Sequence, residues 1–88
     1  MATITGTSGA DTITGTGDSD EITALSGSDI ISALGGADLI YGNQGSDTIT
    51  SGSGADSVYG GQDGDVIEGG DGDDVIYGNL GNDTISSD

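Results

Sequence analysis

One apolar position recurs along the chain at a fixed interval: Ile13, Ile22, Ile31, Ile40, Ile49, Val58, Ile67, Ile76 and Ile85 stand nine residues apart. Two residues before each stands an Asp, giving Asp11, Asp20, Asp29, Asp38, Asp47, Asp56, Asp65, Asp74 and Asp83 without a gap. Each nonapeptide therefore has two halves. Six small, Gly-rich residues able to adopt positive φ and close backbone approaches are followed by three residues of the form x-apolar-x, the alternation of a strand.

A strand of three residues must recruit neighbours to persist, and a sequence repeat supplies them by stacking. In parallel stacks the central Ile or Val points inward and its two flanking residues point outward. Alternate repeats then form two facing sheets, and one full turn takes 18 residues. The chain thus reads as a single all-β domain over residues 1–88. It has a partial repeat at 1–5 with Thr3-Ile4-Thr5 as its strand, nine nonapeptides at 6–86, and the start of a tenth loop at 87–88.

Composition makes this architecture conditional. Hydrophobic residues are 31% of the chain, and 16 carboxylates face no Lys, Arg or His, for a formal charge of -16. Such a balance lies close to that of disordered chains. A domain this small usually needs a staple, and the absence of Cys leaves metal or assembly to provide it.

The same composition excludes several functions. Nucleic acid and anionic lipid are bound through Lys and Arg, and no apolar run approaches the roughly 20 residues of a membrane span, so neither nucleic-acid binding nor membrane insertion is expected. Without His, Cys or Lys, and with few large apolar residues to wall a carboxylate pocket, the chain lacks the usual means of nucleophilic or acid–base catalysis. It reads as a protein that is not an enzyme.

The nonapeptides resemble the calcium-binding repeats of the RTX (repeats-in-toxin) family. Their consensus, G-G-x-G-x-D-x-U-x with U apolar, is matched in full by Gly69-Gly70-Asp71-Gly72-Asp73-Asp74-Val75-Ile76-Tyr77. The resemblance implies a right-handed parallel β-roll, a β-solenoid whose six-residue halves are turns and whose three-residue halves are strands. It also implies calcium between successive turns, held by Asp carboxylates and backbone carbonyls, a donor set that suits a hard cation taking 6–8 oxygens.

On that basis all nine repeat Asp are candidate metal ligands. One edge carries Asp11, Asp29, Asp47, Asp65 and Asp83, and the other Asp20, Asp38, Asp56 and Asp74. Five loops enclose four gaps and four loops enclose three, so an isolated chain is expected to take about seven calcium ions, and more if chains stack. Asp and Gly also favour turns without any metal, but two stacked files of like charge would repel each other with no cation between them. Departures from the consensus fall at Ala24, Ala33 and Ser51 in place of the first Gly, and at Asp18 and Asp63 in place of the Gly at position four. Asp18 and Asp63 lie within their loops and are in reach of a loop calcium.

Outward positions hold two further features. Leu39, Tyr41, Tyr59, Val75 and Tyr77 fall on one sheet face, and the three Tyr, 18 residues apart, would form a ladder. Such a stripe either stabilises the sheet or marks a surface for lateral contact. The first and last units resemble the internal ones, whereas solenoids kept monomeric carry polar caps. Ten strands close five whole turns, so a second copy would continue both files in phase, with an axial repeat of about 24 Å. Ser87-Asp88 of one copy and Met1-Ala2 of the next would together rebuild the broken loop.

The expected function is therefore a calcium-dependent structural protein that folds on export, by the type I secretion typical of RTX proteins, and assembles head-to-tail into an extracellular filament. Its partner would be itself, with lateral contact through Tyr41, Tyr59 and Tyr77. The alternative is a calcium-binding folding or glycan-binding module of a larger secreted RTX protein.

Overall fold

A computed structural model describes residues 2–86 and resolves them into ten strands of three residues each, with no helix among them. Strands β1 (Thr3–Thr5), β3 (Glu21–Thr23), β5 (Leu39–Tyr41), β7 (Ser57–Tyr59) and β9 (Val75–Tyr77) form one sheet in that order. Strands β2 (Thr12–Thr14), β4 (Ile30–Ser32), β6 (Thr48–Thr50), β8 (Val66–Glu68) and β10 (Thr84–Ser86) form the other. All pairing is parallel and joins residues 18 apart, as in Ile22 with Ile40 and Ile49 with Ile67. The molecule is a β-solenoid of five turns, with each strand at the place where the repeat puts it.

The ladder continues beyond the strands. The amide of Ile30 donates to the Asp11 carbonyl at 2.9 Å, that of Thr48 to Asp29 at 2.8 Å, and that of Gly42 to Tyr59 at 2.7 Å. Pairing therefore covers five consecutive residues of each repeat, from the Asp to the first residue of the following nonapeptide, and the in–out alternation covers the same five.

That extension decides what fills the interior. Ile13, Ile22, Ile31, Ile40, Ile49, Val58 and Ile67 are buried, as the repeat predicts. On one side of this stripe the interior also contains Ala24, Ala33 and Ser51, and on the other Asp20, Asp29, Asp38, Asp47, Asp56 and Asp65. Ala24 and Ala33 are thus core residues, because the first position of the repeat points inward, where only a small side chain fits. At the ends the core opens: Ile4 and Ile76 are partly covered, and Ile85 is 45% exposed.

The outer faces match the alternation. Tyr41, Tyr59 and Tyr77 stack as a ladder with ring centroids 5.1 and 5.0 Å apart and planes within 9° of parallel. On the other sheet Ile30 and Val66 are half-exposed.

With one large inward-facing apolar side chain per strand, each central Ile carries an unusual share of the packing. In calcium-containing buffer Ile49→Ala is expected to cost about 2–5 kcal/mol, the range of large-to-small substitutions in a packed core, whereas Ile85→Ala, half in water already, costs much less. Chemical denaturation of the two variants measures the difference.

Candidate metal sites

Each repeat Asp immediately precedes a strand, and the alternation that buries the central Ile two residues later also turns the Asp inward. Its Oδ1 has a structural partner. The amide of Asp11 donates to Asp29 Oδ1 at 2.7 Å, Asp20 to Asp38 at 2.8 Å, Asp29 to Asp47 at 2.9 Å and Asp38 to Asp56 at 2.8 Å. The series continues with Asp47 to Asp65, Asp56 to Asp74 and Asp65 to Asp83 at 2.8–3.0 Å. The two files expected from the sequence are thus present as continuous inter-turn ladders, 18 residues per step.

The second oxygen is different. Oδ2 of Asp29, Asp38, Asp47, Asp56, Asp65 and Asp74 is buried with no hydrogen-bond partner. A buried charge without a partner costs far more than a buried apolar atom, and the chain has no basic side chain to supply one. Six such atoms in two files call for a cation.

The surroundings of these oxygens are lined with further oxygen. A Cβ placed on Gly42 would lie 2.6 Å from Asp47 Oδ2 and 2.7 Å from the Gly60 carbonyl oxygen. One placed on Gly60 would lie 2.6 Å from Asp65 Oδ2 and 3.1 Å from the Gly78 carbonyl. Further round the loop, carbonyls of successive turns point along the solenoid axis, so that a side chain on Gly45 would strike the Gly27 carbonyl and one on Gly61 the Asn43 carbonyl. Among the described residues no three acidic side chains converge on one point. A metal held here would therefore draw on carboxylates and loop carbonyls together, a hard all-oxygen set that fits calcium.

The conformation of the loops follows from their second and fourth positions. In the third to ninth loops both positions have positive φ, as at Asn43 (67°) and Gly45 (95°). In the fourth position of the seventh loop Asp63 takes this conformation at 71°, and its Oδ2 accepts the Gly45 amide at 3.1 Å. Asp18 instead lies in the second loop, where its amide donates to Thr16 Oγ1 at 3.1 Å.

Burial also bears on the protonation of Asp38, Asp47, Asp56 and Asp65. It pushes the carboxyls of Asp38 and Asp65 up to about 6 and that of Asp47 up to about 7; the amide donated to each Oδ1 opposes the shift, and like charges one turn away add to it. Asp56 is raised for the same first reason. Asp20 is lowered, chiefly because the Thr16 amide donates to it.

The nonapeptide pattern matches the model of the RTX calcium-binding nonapeptide repeat over residues 3–31, 23–58 and 59–88. The chain belongs to that family. No curated relative matches its sequence. RTX repeats bind calcium as structural elements without catalytic chemistry, and they are typical of secreted proteins. This chain is accordingly a calcium-binding structural β-roll.

Two features of the RTX loops escaped the sequence reading. The inward turn of the first position was signalled by its restriction to Gly, Ala and Ser in all nine repeats. The distinct character of the first two loops was signalled by Thr7 and Thr16 in their second positions.

Acid is expected to substitute in part for calcium. Asp38, Asp47 and Asp65 bind protons more tightly when folded than the ordinary value of 3.8 allows. Their contribution to stability is therefore complete below about pH 4 and is lost as the pH rises through about 6–7. The metal-free chain should gain β-structure by circular dichroism on acidification to about pH 4 and lose it again near pH 8; an acid-insensitive spectrum would contradict this.

Proposed function

We propose that this chain is a calcium-triggered structural protein that folds outside the cell and stacks head-to-tail into a filament. The observation that carries the calcium dependence is the set of six buried, unpartnered Asp Oδ2 atoms in a chain with no basic residue. The ligands are the repeat aspartates together with loop carbonyls. Without cations the files repel; with them the layers close. Weak extracellular calcium modules bind at roughly 10⁻⁴–10⁻³ M, so such a chain would remain unfolded inside a cell and fold on release. Export by type I secretion agrees with this order of events.

Assembly is supported by the end layers. Within the described residues β1 and β2 at one end and β9 and β10 at the other each pair on one side only, and Ile85 stands 45% exposed. Unpaired parallel edges are templates for another chain. A second copy stacked on these edges would extend both sheets. The contact is heterologous and does not close, which gives a fibre. The loop that Ser87-Asp88 and Met1-Ala2 would rebuild involves residues outside those described, apart from Ala2, whose amide donates to Asp20 Oδ1 at 3.0 Å. The Tyr ladder supplies a flat stripe for lateral contact between filaments.

Purified protein followed by circular dichroism and negative-stain microscopy, from chelator-treated to about 10 mM calcium with magnesium as control, tests both parts. Calcium-specific β-structure with thin fibres is expected. Calcium-dependent folding into discrete monomers would replace the filament by a module of a larger secreted protein, and absence of folding would remove the calcium dependence altogether.

A further inference from the structure

The nine loops are of two kinds, and the division falls after the second. In the third to ninth loops the second residue, Leu25, Leu34, Asn43, Gly52, Gly61, Gly70 or Asn79, has a φ between 65° and 91°. The fourth residue of each of these loops is also left-handed. In the first two loops no residue has positive φ. The cause lies at the second position: Thr7 and Thr16 are β-branched, and a β-branched side chain is excluded from the left-handed region more strongly than Leu, Asn or Gly.

Those two Thr also occupy the carboxylates. The Thr7 amide donates to Asp11 Oδ2 at 2.6 Å and its hydroxyl to Oδ1 at 2.8 Å. The Thr16 amide donates to Asp20 Oδ2 at 2.7 Å, while its hydroxyl lies 2.8 and 3.0 Å from Oδ1 and Oδ2. Each Thr hydroxyl in turn accepts an amide two residues on, from Gly9 at 3.2 Å and Asp18 at 3.1 Å. The first two loops are thus closed on themselves. From the third loop to the eighth, every Asp Oδ2 is buried with nothing bonded to it.

We propose that calcium is confined to the gaps between loops three to nine and that the first two loops form a metal-free cap held by Thr7 and Thr16. The proposal rests on the calcium-binding reading of the repeats and changes its count. Among loops three to nine, the file of Asp29, Asp47, Asp65 and Asp83 encloses three gaps and the file of Asp38, Asp56 and Asp74 encloses two. That makes five sites, where nine equivalent loops would give seven. In a filament the junction would bring the ninth loop of one copy against the first loop of the next, so the calcium files would be interrupted once per chain. The cap has a structural advantage: hydroxyl and amide donors from the same loop satisfy the Asp11 and Asp20 carboxylates before any ion is bound.

Calcium counted by isothermal titration calorimetry and equilibrium dialysis tests the proposal on the whole chain and on the double variant Thr7→Asn/Thr16→Asn. Asn is chosen because Asn43 and Asn79 already take the left-handed conformation in this protein. Five ions are expected for the natural chain and seven for the variant. Seven ions in the natural chain, or equal counts in the two, would overturn the cap while leaving calcium binding intact; no ions in either would overturn calcium binding and the cap with it. A second readout does not depend on the variant folding: in the calcium-loaded natural chain, amide–Cα proton couplings should place Thr7 and Thr16 at negative φ and Asn43 and Asn79 at positive φ. Positive φ at either Thr would overturn the cap.

Discussion

The structure depends on how a stack of buried carboxylates is made tolerable. The inward turn of each repeat Asp follows from strand alternation, since a residue two before an inward Ile must also point inward. From Asp20 to Asp83 one oxygen of each is bonded to the amide of the previous layer, which ties consecutive turns together and makes the Asp part of the scaffold. The other oxygen abuts the apolar stripe: a Cβ on Gly42 would lie 3.3 Å from Ile49 Cδ1 as well as beside Asp47 Oδ2. The residues that build the core and those that call for a cation are therefore neighbours in one layer. The chain has no basic side chain to pair with these buried carboxylates, so the partner they lack has to come from outside it.

Much of this was legible in the sequence because its period is strict. An interval of nine with one apolar residue per unit fixed the strands, their parallel pairing, the two sheets and the two Asp files, and the 18-residue spacing of Tyr41, Tyr59 and Tyr77 fixed the ladder. Less legible was how far the alternation runs. Reading only three residues as strand made Ala24 and Ala33 look like departures from a Gly turn, whereas backbone pairing through five residues makes them core. The division of the loops was missed for a different physical reason. A consensus records which residues recur, while the conformation of a loop hinges on whether its second residue tolerates positive φ, and Thr tolerates it least.

In the function we propose, concentration of a cation takes the place of sequence-encoded stability. In the absence of an ion, self-repulsion of the carboxylates favours the extended chain. Binding of an ion to the folded state alone stabilises that state in proportion to the logarithm of ion concentration, so under that proposal one chemical gradient would decide where the roll exists. Gly-rich loops suit this arrangement because their conformation, set by a few left-handed residues such as Asn43 and Gly45, brings carbonyl oxygens into the gaps between turns.

The most direct test is a crystal structure of the calcium-loaded chain with anomalous diffraction to locate the ions. Calcium is expected in the gaps between loops three to nine along both files, at about 2.3–2.6 Å from carboxylate and carbonyl oxygens, with the buried Asp Oδ2 atoms no longer without a partner. Ions found only on outward-facing acids such as Glu21, Glu68, Asp71 and Asp73, with those Oδ2 atoms still unpartnered, would contradict the claim that the buried files are what calcium holds together.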